Sequence, residues 1–130
     1  MAHYIDASAL VKLVLPEAET APLREWLAAG ERGPTACDLV RTEVLRAVGR
    51  EAPEQDLRAR IIFERVTLTT LTRSTFDRAG RVAPPLLRTL DAIHLAAALD
   101  LGDDLEAMVT YDERLAEAAI ANGVPVLAPA

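Results

Sequence analysis

The chain has very little cysteine and no long apolar run, and each absence excludes a class of protein. Cys37 is the only cysteine among 130 residues, which excludes an internal disulfide and a cysteine-based metal site. No apolar segment reaches the roughly 18 residues that are needed to span a bilayer. The first residues lack the basic and apolar regions of a signal peptide. We therefore expect a cytoplasmic protein without a membrane segment.

Aromatic residues are also scarce, and acidic residues outnumber basic ones by 20 to 14. Aromatic residues make up 4% of the chain, too few for a nucleic-acid module that works by base stacking. The net charge of −6 argues against broad binding to a phosphate backbone. Neither figure excludes a nuclease, because metal-binding carboxylates add negative charge and a bound cation reverses it locally. Two histidines and a single lysine, Lys12, do not favour a metal-free ribonuclease with paired general acid and base groups.

Hydrophobic residues account for 51% of the chain, enough to give one domain of residues 1–130 a real core. Proline and glycine divide the sequence into short apolar segments that alternate with helical patterns. Strands are predicted at residues 3–6, 35–37, 66–71, 107–110 and 124–127. Helices are predicted at residues 8–15, 19–29, 38–50, 53–65, 74–82, 89–101 and 112–122. Strands separated by helices predict an α/β fold, a three-layer α/β/α sandwich around a parallel central sheet.

Four acidic residues stand beside or within apolar segments, where a loose surface charge is least expected. Asp6 closes the first strand, Glu43 lies inside a helix, Asp91 is in the first turn of an apolar helix, and Asp112 follows a buried strand. Carboxylates in such places are costly unless they are paired, protonated or bound to a cation. Ligands bind at the carboxyl ends of parallel strands, so Asp6 and Asp112 share that edge if their strands are neighbours. A divalent metal is the simplest partner for all four.

Each acid also has a purely structural interpretation. Asp6 and Asp112 can be helix N-caps, and Asp91 can interact with the helix dipole. Glu43 can instead form a buried pair with an arginine such as Arg46 or Arg50. Taken together, the four acids favour a site for a hard cation such as Mg²⁺ or Mn²⁺. In the metal-free protein we expect their mutual repulsion to raise the pKa of at least one carboxylate.

Two hydroxyl side chains are candidates for supporting roles beside these acids. Ser8 follows Asp6 by two residues and Thr110 precedes Asp112 by two, so either hydroxyl could hydrogen-bond a carboxylate or a metal-bound water. Ser8 can equally be the N-cap of the first helix, and Thr110 an ordinary strand residue. His94 is interpreted as a core histidine.

The segments around the four acids resemble the motifs of a known family in order and spacing. The segments are residues 5–10, 41–47, 90–96 and 110–115, and the family is that of the PIN-domain ribonucleases, with VapC-type toxins of bacterial toxin–antitoxin pairs the closest match. The resemblance extends from Asp6 to Val126. It implies an α/β/α fold in which Asp6, Glu43, Asp91 and Asp112 hold Mg²⁺ or Mn²⁺, with Ser8 and Thr110 beside them. It also implies metal-dependent endonucleolytic cleavage of RNA, often tRNA or rRNA, and a VapB-like antitoxin as partner.

Other functions fit the residues less well. A phosphoacceptor receiver domain needs a lysine after a late strand, and a phosphatase with an aspartate nucleophile usually has a second aspartate where Ser8 stands. A catalytically inactive PIN-like scaffold is the remaining alternative, although a degenerate copy is expected to lose some of the acids. Five large residues between positions 13 and 27 predict an exposed apolar surface, and with the resemblance they favour a homodimer and an antitoxin contact. These residues are Leu13, Leu15, Leu23, Trp26 and Leu27.

Overall fold

The computed structural model describes residues 1–130 as five β-strands and seven α-helices. The strands are β1 (Ala2–Ile5), β2 (Pro34–Cys37), β3 (Thr67–Thr69), β4 (Leu105–Val109) and β5 (Val126–Leu127). The helices are α1 (Ala7–Val14), α2 (Thr20–Ala28), α3 (Leu39–Glu51), α4 (Asp56–Glu64), α5 (Arg73–Ala79), α6 (Thr89–Leu99) and α7 (Glu113–Ala121). Short 3₁₀ turns occupy Pro53–Gln55 and Gly102–Asp104.

All five strands are parallel and form one sheet in the order β3-β2-β1-β4-β5. Strands β1 and β4 are neighbours, and Ile5 is in register with Val109. Because the carboxyl ends of parallel strands meet at one edge, the residues that follow Ile5 and Val109 emerge side by side. The structure therefore confirms the predicted α/β fold and the condition under which Asp6 and Asp112 share an edge.

The core lies on both faces of the sheet, as successive strand residues point to opposite sides. Ile5 of β1 packs into a cluster built mainly from helices α1 to α4. Tyr4, the preceding residue, packs into a second cluster with residues of α6 and α7. Helix α5 packs against α6. Helices thus cover both faces, which gives the predicted three layers.

Most predicted elements are present, and the differences lie at their ends. The strand predicted at residues 66–71 is limited to Thr67–Thr69, and the last strand is limited to Val126–Leu127. Helix α5 begins at Arg73, before the predicted start at residue 74, because the Thr72 hydroxyl caps it by accepting from the Thr75 amide. The helix ends at Ala79, before the predicted end at residue 82. Helix α7 ends as expected before Gly123, which adopts a left-handed φ of 80°.

The prediction of an exposed apolar surface between residues 13 and 27 was wrong. Leu13, Leu15 and Leu23 are 6%, 8% and 0% exposed, and Trp26 and Leu27 are partly buried against the same core. The reason is that α1 and α2 fold onto the sheet face that α3 and α4 also cover, which buries these side chains within one protomer. No helix has the length and apolarity needed to cross a membrane.

Candidate active site

The four predicted acids line one cleft at the carboxyl edge of the sheet. The cleft has a volume of about 370 Å³, and Ser8, Arg88 and His94 also contribute to its wall. Asp6 and Asp112 reach it directly after β1 and soon after β4, while Glu43 and Asp91 reach it from α3 and α6. The structure thus brings together residues that are as much as 106 positions apart in sequence.

Asp6 is the most deeply buried of these acids and is held by three hydrogen-bond donors. Its Oδ1 accepts from the Ser8 hydroxyl at 2.7 Å and from the Ala9 amide at 3.2 Å. Its Oδ2 accepts from the Thr110 hydroxyl at 2.8 Å. Asp6 is therefore the N-cap of α1, and the alternative in which Ser8 caps this helix was wrong.

Ser8 and Thr110 connect the ends of β1 and β4 to each other. The Ser8 hydroxyl accepts from the Tyr111 amide at 2.9 Å, and the Thr110 hydroxyl accepts from the Asp112 amide at 3.1 Å. Each hydroxyl therefore donates to Asp6 while it fixes the chain that leads into Asp112. The two side chains set the orientation of the Asp6 carboxylate, as expected of groups that support a site.

Burial raises the pKa of Asp6, while the hydrogen bond from Ser8, the nearby positive charge of His94 and the hydrogen bonds from Thr110 and Ala9 oppose that rise. A raised carboxylate pKa was expected here, but the predicted cause was wrong. Loss of hydration, and not repulsion from the other three acids, accounts for the shift. The Asp6 carboxylate is therefore poorly hydrated in the cleft, and a bound cation would supply the stabilisation that water does not.

Glu43 is paired with a histidine and not with an arginine, so the alternative interpretation, a buried pair with an arginine such as Arg46 or Arg50, was wrong. The Glu43 Oε1 lies 2.6 Å from the Nε2 of His94, and the Nδ1 of His94 lies 2.8 Å from the Tyr4 hydroxyl. Burial lowers the pKa of His94, but its hydrogen bonds with Cys37 and Glu43 and their charges raise it, giving a pKa of about 10. His94 is buried, as predicted for a core histidine, and it also fixes one of the four carboxylates.

Arg88 places a positive charge between two of the acids. Its Nε lies 3.3 Å from the Asp91 Oδ2, and its Nη2 lies 3.3 Å from the Asp112 Oδ2. Asp112 also caps α7, since its Oδ1 accepts from the amides of Arg114 at 2.9 Å and Leu115 at 3.0 Å. The guanidinium thus balances two carboxylates that would otherwise repel each other.

The side chains of the cleft suit a hard cation in their chemistry. Four carboxylates and two hydroxyls offer oxygen donors, which Mg²⁺ and Mn²⁺ prefer. The positively charged guanidinium of Arg88 already pairs with Asp91 and Asp112, as a metal cation at that position would. As they stand, no three acidic, histidine or cysteine side chains are close enough to form a ready-made metal site. A metal held by these groups would require side-chain movement, including displacement of Arg88 from Asp91 and Asp112.

Comparison with known proteins places this geometry in a family. The PIN domain model matches residues 3–121. Ribonuclease VapC47 of Mycobacterium tuberculosis (strain CDC 1551 / Oshkosh) is 44% identical over 117 residues, which cover 86% of this chain and 85% of that protein. Ribonuclease VapC46 of Mycobacterium tuberculosis (strain ATCC 25618 / H37Rv) is 40% identical over 129 residues and 98% of both chains. The chain belongs to the PIN-domain VapC ribonuclease family.

Solved structures show the same VapC fold at much lower identity. The crystal structure of Mycobacterium tuberculosis VapC20, described as a sarcin–ricin loop cleaving toxin, has a TM-score of 0.75 at 15% identity and covers 91% of this chain and 95% of its own. Rickettsia felis VapBC2, bound to a DNA fragment from its promoter, has a TM-score of 0.73 at 14% identity and covers 100% of both chains. These matches confirm the PIN-like architecture that the sequence predicted.

The sequence did not indicate that two residues of this VapC-family cleft contact the acids. Arg88 and His94 each stand three positions from Asp91, one before it and one after it. Residues three apart lie on the same side of a helix, so the spacing was a usable signal for His94 once Asp91 had been identified. Arg88 precedes the helix as its N-cap, so the helical spacing does not apply to it, and nothing else in the sequence separates it from the other twelve arginines.

Proposed function

We propose that this VapC-family protein is an endoribonuclease that depends on Mg²⁺ or Mn²⁺ and cleaves tRNA or rRNA. We further propose that it acts as the toxin of a type II toxin–antitoxin pair. The observation that carries the proposal is the convergence of Asp6, Glu43, Asp91 and Asp112 on one cleft. The ribonuclease names of its relatives support the reaction class.

Asp6, Asp91 and Asp112 are the residues that would hold the cation directly, with Glu43 binding it directly or through water. Asp6 is suited to this role because hydroxyl donors fix its carboxylate while burial deprives it of water. Glu43 is fixed in the same way by His94. Bound metal would supply an activated water and neutralise charge on the scissile phosphate.

Arg88 is the residue of the cleft that could bind a phosphate. In the present arrangement its guanidinium is held by Asp91 and Asp112. When a cation takes over these carboxylates, the guanidinium is released, and its planar donors match the oxygens of a phosphodiester. Arg88 would then hold the RNA backbone next to the carboxylates.

Metal-dependent cleavage can be tested with the purified chain. We expect it to cleave tRNA or rRNA in Mg²⁺ or Mn²⁺, because the cleft has carboxylates but no exposed pair of acid and base groups. Excess EDTA should stop cleavage, and an excess of Mn²⁺ added afterwards should restore it. Cleavage that continues undiminished in EDTA would refute the metal dependence. A protein that cleaves no RNA under either condition would favour the inactive scaffold.

We also propose a cytoplasmic homodimer that is neutralised by a VapB-like antitoxin. The Rickettsia felis neighbour is a VapBC2 assembly, and a second neighbour comes from a Klebsiella pneumoniae toxin–antitoxin complex. Light scattering at micromolar concentration should give twice the 14.0 kDa chain mass, and co-expression of a small gene next to this one should relieve toxicity. A 14.0 kDa species alone would argue against the dimer, and unrelieved toxicity would argue against the antitoxin.

A further inference from the structure

A positively charged segment adjoins the acidic cleft in an otherwise acidic protein. Residues 73–88 contain four arginines and a single aspartate, a net charge of +3 in a chain whose total is −6. The arginines are Arg73, Arg78, Arg81 and Arg88, and all four are exposed. Arg78 pairs with Asp100 at 3.0 Å, whereas Arg73 and Arg81 form no ion pair. Unpaired, exposed arginines on one segment are typical of phosphate-binding surfaces.

Neighbouring surface hollows that share lining residues lie between the basic segment and the cleft. A wide surface hollow of about 800 Å³ is lined by Arg73, Arg78 and Arg81. Arg81 also lines a second hollow of about 460 Å³, whose wall includes Thr89. Thr89 in turn lines the acidic cleft. Arg81 and Thr89 thus each line two hollows, and through them the hollow with the exposed arginines neighbours the cleft with the four acids.

An exposed aromatic ring lies in the middle hollow. Phe76 of α5 is 49% exposed and lines the same wall as Arg81 and Thr89. A large apolar ring half exposed beside arginines needs an explanation, since nothing in this protein covers its exposed half. Unpaired nucleic-acid bases stack on such rings, because every base has a flat apolar face.

We propose that these neighbouring hollows, here called the α5 track and defined by Arg73, Arg81, Phe76 and Thr89, bind the single-stranded part of the RNA substrate next to the cleavage site. Arg73 and Arg81 contact phosphates, Phe76 stacks against a base, and Thr89 marks the point where the strand enters the acidic cleft. The track rests on the proposed ribonuclease function and adds to it the surface that binds the substrate.

The charge of the track favours RNA over a protein partner. The wide hollow contains three arginines and one acid, Asp77, while the cleft at its end repels phosphate until a cation is bound. An RNA strand carries phosphates at regular intervals along its length. One strand could therefore contact the arginines of the wide hollow and also bring a phosphate to a cation bound in the cleft. The half-exposed ring and the unpaired arginines fit the alternation of bases and phosphates in that strand.

Binding of RNA can be measured separately from its cleavage. The Asp6→Asn background, expected to be inactive, is titrated with fluorescein-labelled single-stranded RNA of mixed sequence at several salt concentrations. The double variant Arg73→Ala/Arg81→Ala should bind more weakly, and the slope of log K against log salt should fall by about 1.4, or about 0.7 for each lost phosphate contact. The matched control is Arg50→Ala/Arg65→Ala, which removes two exposed arginines outside the track and should bind normally.

The aromatic contact has its own pair of variants. Phe76→Ala should weaken binding by about fivefold or more, as expected from the loss of one stacked base. Phe76→Tyr keeps the ring and should bind as the parent does. Equal losses in both variants would mean that the ring has a structural role only.

The outcomes separate the track from the proposed function. If the wild type cleaves RNA but the Arg73/Arg81 variant binds it as tightly as the control variant does, the track is wrong and the ribonuclease stands. If that variant keeps RNA affinity but loses a co-purifying antitoxin or its dimeric state, the surface is a protein interface and the track is again wrong. If the wild type neither binds nor cleaves RNA, both proposals fail.

Discussion

Arg88 contacts two of the four carboxylates through different nitrogens of one guanidinium. A side chain in this position has two consequences. It lowers the repulsion between Asp91 and Asp112 while no metal is present, and it competes with any cation that would bind them. It is also largely exposed, so the energy of each pair is limited to about 1 kcal/mol by solvent screening.

Replacing Arg88 with glutamine should therefore tighten the binding of Mn²⁺ by about fivefold, which corresponds to the loss of about 1 kcal/mol of competing interaction. Isothermal titration calorimetry in the absence of RNA measures this directly. Arg78→Gln is the matched control, because its partner Asp100 lies outside the cleft. An unchanged or weaker Mn²⁺ affinity in Arg88→Gln would show that the guanidinium does not compete with the cation.

At the level of residues, the sequence identified the acids but not all of their partners. Asp6, Glu43, Asp91 and Asp112 were visible because charges beside apolar segments are unusual. The Ser8 and Thr110 hydroxyls were predicted beside the acids, and they do contact Asp6. The Glu43–His94 pair could not be predicted, since it depends on how α3 and α6 approach each other across the end of the sheet.

Among the secondary-structure elements, boundaries were predictable where a single residue sets them. Asp6 and Asp112 cap α1 and α7, and Gly123 ends α7 with a left-handed φ. Short edge strands were less predictable, because β3 and β5 contain only three and two residues and their ends depend on pairing with a neighbour. The strand order could not be predicted from the sequence for a similar reason, because it is decided by packing between distant segments.

Three elements meet at His94, which belongs to α6 and contacts Tyr4 of β1 and Glu43 of α3. Its pKa of about 10 in the folded protein lies above its ordinary value of 6.5. A histidine with a raised pKa adds stability that is fully present below its unfolded pKa and is lost as the pH rises through its folded pKa. The contribution of His94 should therefore decline between about pH 6.5 and pH 10.

The variant His94→Gln tests this dependence. The difference in the free energy of unfolding between wild type and variant should be largest near pH 6 and should shrink steadily as the pH approaches 10. Urea denaturation followed by circular dichroism at several pH values gives the two curves. A difference that stays constant over this range would mean that His94 is neutral in the folded protein, with Tyr4 donating to it.

For the whole molecule, the charges are distributed unevenly around one edge of the sheet. The parallel order of β1 and β4 brings Asp6 and Asp112 together, and the segment that leads into α6 adds arginines next to them. The net charge of −6 suggested weak contact with nucleic acid, but the total conceals a local charge of +3 in residues 73–88. A net charge describes the chain as a whole and gives little information about a site built from a few residues.

The central claim is that four carboxylates of one cleft act together in RNA cleavage. The most direct test is to assay the single variants Asp6→Asn, Glu43→Gln, Asp91→Asn and Asp112→Asn with RNA and Mn²⁺. Asp56→Asn is the control, because Asp56 is an exposed acid that pairs with Arg60 at 2.8 Å, away from the cleft. We predict that all four site variants keep the wild-type circular dichroism spectrum and lose cleavage, whereas the control cleaves normally. Folded site variants that cleave RNA as fast as the control would contradict the account.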